Sequence, residues 1–201
     1  MPETKLLLAT KNAHKVGELR QMLAKFPNLE ILSALDFPEV ADPVEDGETF
    51  ADNARAKALY YAAKTGLPSL ADDSGLVVDA LDGRPGVHSA RYAPTDTERI
   101  DKLLAELANI APTHRTARFQ CVMALAREGD VLATATGTLE GSIATERRGT
   151  NGFGYDPVFL VAGRDHHLAE LTSEDKNAIS HRGRAWRAML PHLVRLCEIL
   201  S

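Results

Sequence analysis

The chain is poor in cysteine, long apolar runs and basic tracts, and each shortage narrows what it can be. Its two cysteines, Cys121 and Cys197, lie far apart in apolar surroundings. Core thiols in a reducing compartment are therefore expected rather than a bridge. The apolar run near the start, LLLAT, is too short for a signal peptide. No stretch approaches the roughly 20 apolar residues that a membrane helix needs. A cytoplasmic protein with no membrane partner is the default expectation. The net charge of -5, with no basic tract, argues against a nucleic-acid polymer as partner. A single nucleotide is not excluded, because it needs only a local positive site. Familiar catalytic signatures are missing as well. There is no GxxxxGK[ST] loop, no GxGxxG after the first strand and no nucleophile elbow. His88, His114, His166, His167 and His192 show no metal-ligand spacing. Neither cysteine has a setting that would activate a thiolate.

What is present suffices for a real core. At 201 residues, 44% of them hydrophobic, the chain fits one large domain or two small lobes. No internal repeat, linker or low-complexity tract interrupts it. Lys5–Thr10 reads as a buried strand, and a helix over His14–Phe26 follows, with Asn12 as its cap and Pro27-Asn28 as its stop. Leu29–Leu32 reads as a short strand, and 37–48 as a polar loop carrying Glu45 and Asp46. Thr49 opens a long alanine-rich helix over Phe50–Thr65, which places Asn53 and Lys57 on one face. Gly66-Leu67-Pro68 stops it. Pro94-Thr95-Asp96 opens another helix with Ile100, Leu103, Leu104 and Leu107 as its stripe. Arg115–Ala126 and Val131–Glu140 read as a hairpin about Glu128-Gly129-Asp130. Glu170–Ala178 reads as helical, Ser180–Gly183 as an interruption, and the last helix as kinked or restarted at Pro191. Together these elements predict a mixed parallel and antiparallel α/β fold.

Four clusters carry chemistry. Asp72 and Asp73 stand side by side between apolar runs, a costly placement unless something neutralises them. A hard divalent cation at a strand end would do so, and Mg²⁺ prefers carboxylate oxygens. An acidic turn in water, or a helix cap by Asp73 or Ser74, would also fit. Glu45 could converge with the pair to hold metal or to handle a water. The turn Thr10-Lys11-Asn12-Ala13-His14-Lys15 joins a strand to a helix start, where free amides favour an anion. Lys57, Lys176 and Arg182 are dispersed cations that could meet a polyphosphate, or simply face solvent. Phe153-Gly154-Tyr155-Asp156, with His181-Arg182, offers rings to stack on a base and polar groups to read its edge; Phe153 and Tyr155 could equally be core.

The blocks LATKNAHKVGEL, EDGETF, NARAKA, ADDSGLVVDALDGRPGVHSARYA, FGYDPVF and ELTSEDKNAISHRG, in this order, closely resemble the inosine triphosphate pyrophosphatase family. The similarity covers nearly the whole chain. It implies one domain, 1–201, of two lobes around a long central sheet with an active-site cleft, and a homodimer. It implies Mg²⁺-dependent hydrolysis of the nucleoside triphosphates ITP, dITP and XTP to the monophosphate and pyrophosphate. A pyrophosphatase for other modified nucleotides and a silent nucleotide-binding protein are the alternatives. By the same resemblance Thr10, Asn12 and Lys15 hold phosphate oxygens, with Lys11, Ala13 and His14 completing that loop. Lys57 reaches the triphosphate. Glu45 and Asp73 are the metal or water-handling carboxylates, Asp73 accepts the proton, and Asp72 supports it. Ser74 contacts substrate. Phe153, Gly154, Tyr155 and Asp156 form the base loop, and Lys176, His181 and Arg182 complete the pocket on the purine O6 side. One departure is Lys11, where many relatives have glycine. It is expected to point outward or to add charge near the phosphates.

Overall fold

The computed structural model of the chain describes residues 4–26 and 28–200. Pro27, read above as part of a helix stop, lies outside the described residues. Strand β1 (Thr4–Leu8) leads through a turn to helix α1 (Ala13–Leu23) and strand β2 (Leu29–Ser33). A long loop precedes helix α2 (Phe50–Thr65), which feeds strand β3 (Ser69–Val78). Helix α3 (Asp96–Glu106), strands β4 (Thr116–Arg127), β5 (Asp130–Ile143) and β6 (Phe159–Val161), and helices α4 (Ser173–Ile179) and α5 (His181–Leu200) complete the order. The strands form a six-stranded sheet in the order β2-β1-β3-β4-β5-β6. β1 runs parallel to β2 and β3, whereas β6 runs antiparallel to β5. The fold is mixed α/β, as the pattern of elements predicts.

Local chemistry explains the boundaries. Thr49 caps α2 by accepting from the Asp52 N–H, and Gly66 ends it at φ 69° in the left-handed region that glycine enters without strain. Glu128 and Gly129 join β4 to β5 with φ 54° and 93°, the backbone a two-residue hairpin turn requires. Helix α1 stops at Leu23, one turn earlier than its apolar stripe suggests. α5 continues through Pro191 without a restart.

The chain divides into two compact units. The first comprises Met1–Asp73, Cys121–Gly137 and Arg184–Ser201; the second comprises Ser74–Gln120 and Thr138–Gly183. Each has its own core. In the first, Val16, Leu19 and Leu23 of α1 and Trp186, Met189, Leu193 and Leu196 of α5 bury their helical stripes with Leu6, Leu8, Cys121, Met123 and Leu125. Leu6, Leu7 and Leu8 are fully buried, each worth roughly 2 kcal/mol of apolar transfer. In the second, Ile100 and Leu103 of α3 pack with Leu76, Val78, Phe119, Leu139, Tyr155, Val158 and Phe159. β3 passes from one unit to the other between Asp73 and Ser74. Both cysteines are free, Cys121 within the first core and Cys197 partly exposed.

Candidate active site

The first cluster is built on α1, α2 and β3 of the first unit and on the loop that carries Glu45. Asp72 and Asp73 lie inside β3, not in a turn or at a helix cap as the acidic spelling allows, and they are 1% and 6% exposed. Carboxylates survive at such positions only if paired. Lys15 Nζ reaches Asp72 Oδ2 at 3.0 Å, and the Cys121 thiol lies 4.0 Å from the same oxygen. Asn53 Nδ2 donates to Asp73 Oδ2 at 3.0 Å. Lys57, one helical turn after Asn53, reaches Glu45 Oε1 at 2.6 Å and donates to the Asp72 carbonyl at 3.3 Å. Glu45, Lys57, Lys15, Asp72 and Asp73 thus meet in one unit although they come from four separate parts of the sequence.

Burial pushes the Asp73 carboxyl above the ordinary carboxylate range, and nearby Glu45 adds to it. Lys57, the Asn53 hydrogen bond and Lys15 pull it back without cancelling the shift. For Lys57, burial is the largest single influence and acts downward. Glu45, Asp72 and Asp73 outweigh it together, so the ammonium is held above its usual range. The result is a cationic lysine beside a carboxylate made more basic by its surroundings.

Asn53 is the residue that sequence reasoning missed. It is 3% exposed, and its Oδ1 accepts the Gly47 N–H at 2.9 Å while its amide nitrogen holds Asp73. The backbone N–H can only donate, so it fixes which way the amide faces. Asn53 thereby ties the Glu45 loop to Asp73. A Cβ on Gly47 would fall 2.7 Å from Asn53 Oδ1, which explains the glycine. The available signals were the shared face with Lys57 and the NARAKA block that Asn53 opens.

The first turn is corrected in two ways. Asn12 caps α1 through its side chain, accepting from His14 N at 3.0 Å and Lys15 N at 3.2 Å, while Asn12 N donates to Thr10 Oγ1 at 3.2 Å. The amides of Asn12, His14 and Lys15 therefore have acceptors within the turn, contrary to the expectation of free amides. Lys11 does not extend alone into solvent. It donates to the Val40 carbonyl at 2.9 Å and pairs with Asp42 at 3.2 Å, and Tyr61 donates to the same Asp42 oxygen at 2.9 Å. It fastens the loop that carries Glu45. Ala13 is the first residue of α1.

The second cluster belongs to the second unit. Asp156, 2% exposed, accepts from the Phe153 N–H at 2.9 Å and from Lys176 Nζ at 2.7 Å. Lys176 sits 4.7 Å from the Phe153 ring centroid and the Arg182 guanidinium carbon 5.7 Å from it, both at cation–π range. Arg182 also donates to Ser74 Oγ at 2.9 Å. His181 is buried and stacks on Phe119, 4.8 Å between centroids and 12° between planes. Gly154 holds the loop at φ 63°. Tyr155 takes the core alternative: its ring is 4% exposed and its hydroxyl donates to the Ser89 carbonyl at 2.9 Å. His181, Arg182 and Gly183 open α5 rather than interrupt a helix. Gly183 is required because a Cβ there would meet the Asn177 carbonyl oxygen at 1.9 Å. Lys176 lies in α4, which starts at Ser173, later than the charged segment suggests.

Among the described residues no three His, Cys, Asp or Glu side chains are grouped to hold an ion by themselves. Mg²⁺ does not demand such a cage. It takes one or two carboxylates and leaves the remaining positions to water and substrate phosphates. Glu45 and the buried Asp73, both beside Lys57, are oxygen donors of that kind and fit the ion.

No described helix is long and apolar enough to cross a membrane. The Ham1 family pattern matches residues 6–192 of the chain. A dITP/XTP pyrophosphatase of Geobacter sulfurreducens is 49% identical over 193 residues, covering 94% of this chain and 96% of its own. Another, from Streptomyces coelicolor, is 48% identical over 193 residues with the same coverage, 94% and 96%. The solved structure of a HAM1 protein from Coxiella burnetii superposes with a TM-score of 0.86 at 42% identity, covering 96% of this chain and 99% of that one. A match of this extent, over a chain whose buried acid–lysine cluster and aromatic loop both lie inside the matched residues, makes the protein a member of the Ham1 family.

Proposed function

We propose that the protein hydrolyses deaminated purine nucleoside triphosphates (ITP, dITP and XTP) between the α and β phosphates, releasing the monophosphate and pyrophosphate. The observation that carries this reading is the set of buried Asp72 and Asp73 and partly exposed Glu45 held against Lys15 and Lys57. It supplies a base and two cations where a polyphosphate would need both. The names of the relatives give the substrate class.

Lys15 and Lys57 exchange their carboxylate partners for phosphate oxygens when the triphosphate binds. Asp73 takes a proton from the attacking water. The new bond joins water oxygen to the α-phosphorus, the α–β bridge breaks, and pyrophosphate leaves with the bonding pair. Before the triphosphate binds, Asp72 holds Lys15 in place, and Asn53 keeps Asp73 in place. Glu45 and Asp73 would hold Mg²⁺, which when bound supplies positive charge against the phosphates. Phe153 stacks on the base, and Lys176, Arg182 and Ser74 line its polar edge. The peptide bond between Asp73 and Ser74 joins the catalytic set to the recognition set along the chain.

A single domain, a homodimer and a cytoplasmic setting complete the proposal on the strength of the sequence resemblance. Sedimentation of the purified protein tests the dimer. The reaction is tested by ³¹P NMR of ITP turnover with Mg²⁺ and with EDTA. Inosine monophosphate and pyrophosphate, formed only with metal, are expected. Inosine diphosphate and orthophosphate would overturn the bond assignment.

A further inference from the structure

The loop that carries Phe153 has few side chains of its own with which to hold a fixed shape. Gly149, Gly152 and Gly154 all have positive φ, at 78°, 76° and 63°. Glycine-dense backbone loses much conformational freedom on ordering, so it needs external ties if an aromatic ring is to be presented in one place. The ties can be followed amide by amide. Asn151 N donates to the Ala169 carbonyl at 3.0 Å, and the Asn151 side chain donates to the Leu171 carbonyl at 3.0 Å. Phe153 N donates to Asp156 Oδ2 at 2.9 Å. Gly154 N, next to the ring, donates to Asp96 Oδ2 at 2.7 Å, across 58 residues of sequence.

Asp96 is well placed for this work. It is the first residue of α3, behind the Thr95 cap and its capping box with Glu98. Its other oxygen accepts from Arg99 Nη1 at 2.6 Å, and Arg99 is anchored in turn by its Nε on the Ala93 carbonyl at 2.9 Å. The carboxylate is thus oriented from behind and offers its second oxygen to the loop. α3 grips the same loop at its start as well: Arg147 Nη2 donates to the Thr97 carbonyl at 3.0 Å and to Asp101 at 2.8 Å. Asp96 is half exposed, which marks the bond as a positioning device rather than a part of the core.

We infer that Asp96 is a positioning residue for base recognition, acting through the Gly154 amide to hold the Phe153 ring at the purine. This rests on the reading of the Phe153 loop as the base site. It assigns a recognition role to the first turn of α3. Removing the tie leaves the chemistry intact but lets the ring wander, so its cost falls on binding of substrates that have a base.

The test compares Asp96→Ala, Asp96→Asn and Phe153→Ala with the native enzyme. It measures kcat and KM for ITP, the inhibition constant of inorganic tripolyphosphate, and Tm. Asp96→Ala is expected to raise KM by about fivefold, the worth of one partly exposed charged hydrogen bond, with kcat within about twofold. Asp96→Asn keeps an acceptor and should return KM to within about twofold of native. Tripolyphosphate has no base, so its inhibition constant should be the same in all four proteins. If Phe153→Ala raises KM but Asp96→Ala does not, the inference is overturned while the base-loop reading stands. If Phe153→Ala leaves KM at the native value, the base-loop reading fails and takes the inference with it. Equal losses for ITP and tripolyphosphate in Asp96→Ala, with a lowered Tm, would show a general structural role and also overturn it.

Discussion

The two clusters of this protein are built from different materials, as the roles proposed for them would require. In the first unit, the lysines and aspartates of the cluster stand on a helix, a strand and a capped helix start, Glu45 stands on a loop beside Lys57, and Lys15 and Lys57 each have a carboxylate close by. In the second, Phe153 stands on a loop with glycines at positive φ, held by Asp156, Asp96 and the cations over its ring. Chemistry demands charges fixed before the reaction begins, because electrostatic stabilisation is greatest when no reorganisation is needed. Recognition of a flat base demands a surface that can be shaped closely, which glycine-rich backbone allows. The first cluster should therefore govern kcat and the second KM.

The sharpest way to break this division is Asp73→Asn. It retains an acceptor for Asn53 and removes the base, and kcat is expected to fall by at least about 10²-fold. Steady-state kinetics with ITP at saturating Mg²⁺ measures this; near-native turnover would end the assignment. Next in size is Phe153→Ala, which removes a stacking surface worth roughly 1–3 kcal/mol. KM should rise by about tenfold or more while kcat holds. Asn53→Leu sharpens the account of the first cluster. It removes a buried bond to a charged group, worth roughly 1.5–3 kcal/mol. A fall of about tenfold in kcat/KM is expected, and Gly47→Ala, which crowds the Asn53 amide, should fall in the same direction.

The smallest effect concerns stability. The Asp73 carboxyl is raised in the folded protein, mainly by burial. A raised carboxyl binds its proton more tightly when folded than when unfolded. Its contribution is therefore fully favourable below the ordinary carboxylate pKa and is lost as pH rises through the folded value. Asp73→Asn should accordingly have a higher Tm than the native protein at neutral pH in EDTA, and the gap should close as the pH is lowered towards the ordinary carboxylate range. Thermal unfolding followed by circular dichroism across that range checks the sign. A variant less stable at neutral pH would mean that the carboxylate is held favourably by Lys57 and Lys15.

Much of this was legible before any coordinates. Thr49, the alanines and Gly66 announce α2 and its ends, because caps and propensity act locally. The alternation about Glu128-Gly129 announces the hairpin for the same reason. The position of Asp72 and Asp73 was not legible. Carboxylates disfavour strands, so the pair reads as a strand end, a turn or a helix cap; it sits inside β3 because Lys15, Lys57 and Asn53 arrive from elsewhere in the chain. Glu45, Lys57 and Asp73, which the family resemblance rather than any local rule put in one cluster, lie together in the first unit. Lys11 and Tyr155 show the opposite failure. Both lie in blocks that spell a binding site, yet one fastens a loop at Asp42 and the other fills the second core. Asp96 acts through a single long-range hydrogen bond to the loop, which leaves no periodicity or spacing to detect.

The most direct measurement is to determine kcat and KM for ITP with Asp73→Asn and Phe153→Ala side by side, under one set of metal and pH conditions. The account predicts a collapse of kcat at nearly native KM in the first, and a raised KM at nearly native kcat in the second. Both variants losing the same constant would contradict the separation of chemistry from recognition.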